Sequence, residues 1–107
     1  MKATLIARTK EVRDDGSTVE VVVWELPAPL LPSWHRYKYR LYFGAAGETR
    51  VRYDNERGKG DHRHIGTLEE DYTFTSIDRL LDDFERDIAD WSRSRRQSSK
   101  WQGAAAL

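Results

Sequence analysis

Two of the chain's three histidines stand two residues apart, at His62 and His64, in the segment Glu56-Arg57-Gly58-Lys59-Gly60-Asp61-His62-Arg63-His64-Ile65-Gly66. In extended backbone that spacing puts both imidazoles on one side and turns Arg63 to the other. Histidine titrates near neutral pH, so one ring can take a proton while the other gives one. RNA is cut by that chemistry without a metal when a base takes the 2′-hydroxyl proton, an acid protonates the leaving 5′ oxygen, and cations stabilise the phosphorane. On this reading His62 and His64 are the catalytic pair, and no cofactor or metal ligand is needed. Arg50, Arg52, Lys59 and Arg63 supply positive charge, and Tyr53 and Asp54 complete the substrate-binding set. The competing chemistry is a metal site, since His-x-His with a nearby carboxylate (Asp54 or Asp61) offers three ligands. The Gly58-Lys59-Gly60 run is not a phosphate loop, because it lacks the GxxxxGK[ST] frame and a following helix.

The elements that must position these residues can be read from periodicity. Thr4–Thr9 and Val19–Leu26 are extended and β-branched around an Asp14-Asp15-Gly16 turn, which predicts a hairpin. The unbroken run Val21-Val22-Val23-Trp24 suits a strand covered on both faces. Pro27, Pro29 and Pro32 then bar any ladder, making 27–34 a loop. From His35 to Phe43 the residues alternate, with Tyr37, Tyr39, Leu41 and Phe43 inward. After a Gly44-Ala45-Ala46-Gly47 turn, Thr49–Tyr53 returns with Val51 and Tyr53 inward. This register gathers Arg36, Lys38, Arg40, Arg50 and Arg52 with Tyr42 on one face, where like charges call for an anion or an acidic partner. Three glycines and many charges predict a loop over 56–66, with room for a short strand at its end, and a brief fifth strand at Asp71–Thr75. Ile77, Leu80, Leu81, Phe84, Ile88 and Trp91 recur with the helical period, so a helix capped by Thr75 or Ser76 runs to Trp91. Its Asp82, Asp83, Asp87 and Asp90 read as a solvated face. The expected fold is α+β: an antiparallel sheet of four or five strands with one C-terminal helix on one face. Residues 1–91 form a single domain and 92–107 a disordered basic tail.

The 107 residues leave room for one core. There is no cysteine, which excludes disulfides and thiolate chemistry. No apolar run approaches a membrane span and the N-terminus has no signal-like apolar stretch, so a cytoplasmic protein with no membrane partner is expected. The net charge of zero conceals an asymmetry. Residues 35–64 hold eight basic groups against four acidic, and residues 65–92 hold nine acidic against two basic. That separation suits an anionic ligand on one part and a partner on the other.

Arg52-Tyr53-Asp54-Asn55, a short gap, His62-Arg63-His64 with a glycine two residues on, and an apolar-striped C-terminal helix together resemble the TumE family of bacterial toxins. The similarity runs from about Leu5 to Trp91 and includes the Tyr37-to-Tyr42 strand. Family members often carry a longer histidine-rich stretch after the RYDN segment; here Glu56–Asp61 has no extra histidine. The resemblance implies the toxin of a toxin–antitoxin pair, with a helix-turn-helix antitoxin as partner and RNA as a candidate substrate. Two classes of function follow. One is an endoribonuclease, and the other is a non-catalytic module that binds nucleic acid or a partner through the basic sheet face.

Overall fold

The structure, a computed structural model, describes the backbone of residues 2–105 and the side chains of residues 2–94. Six strands form one antiparallel sheet in sequence order: β1 (Thr4–Val12), β2 (Thr18–Glu25), β3 (Tyr37–Ala45), β4 (Glu48–Glu56), β5 (Gly60–Ile65) and β6 (Leu68–Asp71). A single helix, α1 (Ile77–Ala105), follows. The α+β class and the helix are as the sequence predicts, but the sheet has six strands in place of four or five.

The extra strand comes from the glycine-rich segment, which is a tight hairpin and not a loop. Gly58 and Gly60 take φ of +82° and +80°, and so turn the chain within three residues from Glu56 to Gly60. Gly60 has a second reason to lack a side chain, because a Cβ there would press on Pro32. The Gly58 N–H donates to the carbonyl of Leu31 at 2.8 Å, docking this turn on the proline loop. The last strand also lies earlier than expected, at Leu68–Asp71, and Tyr72 to Ser76 lead irregularly into the helix.

Val23, Tyr39, Leu41, Phe43, Val51, Tyr53 and Phe74 join Leu80, Phe84 and Ile88 of α1 in one buried core. The inward positions read in β3 and β4 therefore hold, with Tyr37 partly buried at the margin of the core. Ser76 caps the helix, its Oγ accepting the Arg79 N–H at 3.1 Å. Phe84 is 1% exposed, so Phe84→Ala should cost about 3–5 kcal/mol through the cavity it leaves. A chemical-denaturation midpoint that does not move would show that the helix packs otherwise.

Two further expectations are corrected. Asp83 and Asp87 do not lie on a solvated face. Each is 7% exposed, with Asp83 accepting from the Tyr72 hydroxyl at 2.6 Å and Asp87 from the Tyr53 hydroxyl. The α1 backbone runs on past Trp91 to Ala105; no proline interrupts Ser92–Lys100, and Arg, Gln and Lys tolerate helix well. The side chains from 95 onward lie outside the described residues. In β2 only Val23 is buried, because α1 packs on one face of the sheet and the described residues put no second layer on the other. No helix among the described residues is long and apolar enough to cross a membrane.

Candidate active site

Strand register places the chemistry-bearing side chains in two rows across the sheet face that α1 leaves open. One row is Arg40, Asp54, His62 and Asp71; the next is Tyr42, Arg52, His64 and Glu69. Each row crosses β3, β4, β5 and β6, and directly opposed residues put their side chains on the same face. The pleat alternation that sends Tyr53 into the core thus brings Arg52 and Asp54 beside both histidines.

At the centre, the His62 and His64 rings meet edge to face with centroids 5.3 Å apart. Their environments differ. The His62 side chain is 3% exposed and that of His64 is 18% exposed, so His64 is the ring with an edge open to solvent. Arg52 bridges the cluster: its Nε stands 3.2 Å from Asp54 Oδ2 and its Nη2 lies 2.8 Å from His64 Nε2. Guanidinium can only donate, so His64 Nε2 accepts and the ring is neutral with its proton on Nδ1. Burial, followed by the charge of Arg52, pushes His64 below the ordinary histidine range. Glu69 Oε1 approaches His62 Nδ1 and His64 Nε2 at 3.7 Å each, and Lys59 Nζ holds that carboxylate from outside at 2.8 Å. Asp54, His62 and His64 each present one ligand atom, and these atoms all lie within 4.8 Å of one another.

Of the residues singled out from the sequence, the face therefore gathers Arg52, Asp54, His62 and His64, with Lys59 at its rim. Tyr53, Arg63 and Arg50 lie elsewhere. Tyr53 is 0% exposed in the core, and burial with its bond to Asp87 pushes its hydroxyl far above the usual tyrosine range. Arg63 points to the helix side, where Nη1 donates to Asp87 at 3.2 Å and Nη2 pairs with Glu70. Arg50 is displaced by a register shift. Phe43 pairs with Val51 and Gly44 with Thr49, which leaves Arg50 as the extra residue of a bulge. Its guanidinium stands 6.0 Å from the Phe43 ring centroid and not beside Arg52. The uniformly basic face expected from alternation is consequently a mixed one, with Lys38, Arg40 and Arg52 interleaved with Asp54, Glu69 and Asp71.

A family model described as Toxin TumE matches residues 2–92. The chain belongs to this family. The toxin's matched span takes in both rows of the open face, all six strands and the apolar stripe of α1. No curated protein and no solved structure matches it.

The RYDN segment of this TumE member divides its work by parity. Arg52 and Asp54 face the histidines, whereas Tyr53 and Asn55 hold the sheet. Asn55, 0% exposed, accepts the Tyr39 N–H at 3.0 Å and donates to the Tyr37 carbonyl at 2.7 Å. It extends the β3–β4 ladder beyond its last backbone pair. The third histidine, His35, went without a role in the sequence reading. It is 4% exposed and its Nδ1 accepts the Tyr37 N–H at 3.1 Å. Nε2 therefore carries the proton, which it donates to Asp61 at 2.8 Å. Asp61 also receives the Ser33 and Tyr39 hydroxyls at 3.0 and 2.8 Å, so it ties the proline loop to β5 and lies away from His62 and His64. Its only sequence signal was alternation, since Asp61 and Arg63 share the parity opposite to the histidines.

Proposed function

We propose that this toxin cleaves RNA at the Asp54–His62–His64 centre. The observation that carries the reading is the convergence of Arg52, a neutral His64 and the Asp54 carboxylate on the open face, where a strand of nucleic acid has access. In the proposed reaction the 2′ oxygen forms a bond to phosphorus as the P–O5′ bond breaks. The proton lost by the 2′-hydroxyl passes to the centre, and the leaving 5′ oxygen takes one up. The products are a 2′,3′-cyclic phosphate and a 5′-hydroxyl end. Arg52 and Arg40 hold the phosphate, and Tyr42 offers a ring for a base to stack on. His62, nearly without solvent access, holds the centre together, and His64 meets the substrate. This reading places catalysis mainly on the second histidine of the pair.

The test is cleavage of an end-labelled RNA by wild type and by His64→Ala, each verified as folded by circular dichroism. His64→Ala should cut roughly 100-fold or more slowly, with binding largely retained and weakened by added salt in both proteins. Equal rates would remove the assignment. RNA binding without cleavage in either protein would favour the non-catalytic module. A helix-turn-helix antitoxin is the partner proposed for this toxin. β1 is an edge strand with Leu5, Ile6 and Val12 exposed, and so offers such a protein an open ladder.

A further inference from the structure

We propose that Asp54, His62 and His64 form a binding site for one divalent first-row transition metal ion of the zinc class. Two independent observations support it. The first is composition and spacing: two imidazoles and a carboxylate present ligand atoms that all lie within 4.8 Å of one another. Two histidines and one carboxylate are a recurrent donor set for such ions, leaving the remaining positions to water or substrate.

The second is a deficit of hydrogen bonds where burial demands them. Both ring nitrogens of His62 and the Oδ1 of Asp54 are buried without a hydrogen-bond partner among the described residues. Buried polar atoms are nearly always satisfied, so the orphaned His62 Nε2 and Asp54 Oδ1, 3.1 Å apart, mark one shared ligand position, while Nδ1 on the other side of the ring stands 3.7 Å from Glu69 Oε1. His62 Nε2 and Asp54 Oδ1 are 3.1 Å apart, but not in hydrogen-bond geometry. Two donors on one metal, each about 2.0–2.2 Å from it, stand roughly 3 Å apart. The separation that fails as a hydrogen bond therefore suits a pair of ligands on a shared ion.

The surrounding charges allow a cation here. Asp54 Oδ2 forms an ion pair with Arg52 Nε at 3.2 Å and leaves Oδ1 for a ligand, the arrangement of an outer partner behind a metal-binding carboxylate. His64 is already neutral and gives up the Arg52 Nη2 contact to bind through Nε2. Glu69, 3.7 Å from both histidines, offsets the charge of Arg52 and is within reach of a further position. The metal would lower the pKa of a bound water, giving the proposed RNA reaction its proton acceptor. That consequence rests on the RNA reading; metal binding does not.

The experiment uses full-length protein purified without a histidine tag, stripped with EDTA and dialysed. Zn²⁺ is titrated calorimetrically, and Co²⁺ is followed by its visible ligand-field absorption. One equivalent per chain is expected for wild type. Affinity should fall roughly 100-fold or more in His64→Ala and in Asp54→Asn, both checked for a retained fold. His64 is partly exposed, so His64→Ala keeps the test open should Asp54→Asn misfold. Absence of binding by wild type, or equal affinity in His64→Ala, would overturn the site. RNA cleavage on the same samples separates the two ideas. Binding of one metal without cleavage keeps the site and defeats the RNA reading. Cleavage by protein that takes up no metal does the reverse.

Discussion

Asp61→Ala should destabilise the fold by roughly 3–5 kcal/mol, more than any exposed acidic residue of the chain. The carboxylate, 8% exposed, accepts from three separate donors: the Ser33 hydroxyl, the Tyr39 hydroxyl and His35 Nε2–H. Truncation to alanine leaves all three without an acceptor, and Tyr39 and His35 are themselves buried, at 1% and 4% exposure. The His35 ring also stacks on Phe74 with centroids 3.8 Å apart. Loosening it would disturb the aromatic cluster that joins the proline loop to the entry of α1. Asp61→Asn should cost less, because its amide oxygen still accepts and its NH₂ can donate to the Ser33 hydroxyl, which is able to accept. Urea denaturation of the three proteins gives the comparison. A loss under about 1 kcal/mol for Asp61→Ala would mean that the loop relaxes and rehydrates its donors.

Asp61 also shows why some of the molecule was legible in the sequence and some was not. Where a residue's role follows from periodicity, the reading holds: Tyr39, Leu41, Phe43, Val51 and Tyr53 alternate into the core, and Leu80, Phe84 and Ile88 recur with the helical turn. The outward side chains of β3 and β4 were equally legible as far as parity reached, and Arg52 and His64 come together for that reason. Parity fails where the ladder does. The bulge at Arg50 adds one residue to β4, so a side chain two positions from Arg52 lands over Phe43. Composition also misleads in the Glu56–Gly66 segment. Glycine and charge are what a loop needs, but they are equally what a three-residue turn and a strand with one open face need. Asp83 and Asp87 read as solvated, and Asp61 as a candidate ligand beside the histidines, because their partners (Tyr72, Tyr53 and Arg63, and His35) lie on other elements. Tertiary pairing of that kind leaves no local pattern.

Arg52 and Arg63 show the same lesson in a form that can be measured, since both read as substrate-binding and the fold separates them. Arg63 crosses to the helix, where Tyr53, Asp87 and Glu70 surround it. Its removal leaves the Asp87 carboxylate, 7% exposed, with a tyrosine hydroxyl as its remaining partner. Breaking a buried pair by removing one member costs about 3–5 kcal/mol, and the Arg63 side chain is 26% exposed, so roughly 2–3 kcal/mol is expected. Arg63→Ala should thus lower the denaturation midpoint while cleavage per folded molecule stays close to wild type. Arg52→Ala should differ in activity. Its side chain is 29% exposed and that of Asp54 is 9% exposed, so the stability loss should be of the same order, roughly 2–3 kcal/mol. Loss of the cation bonded to His64 should in addition slow cleavage per folded molecule by roughly 100-fold. Melting curves and initial cleavage rates on the same two variants give four numbers. If Arg63→Ala lost activity at full stability, the reacting face would be the one under the helix.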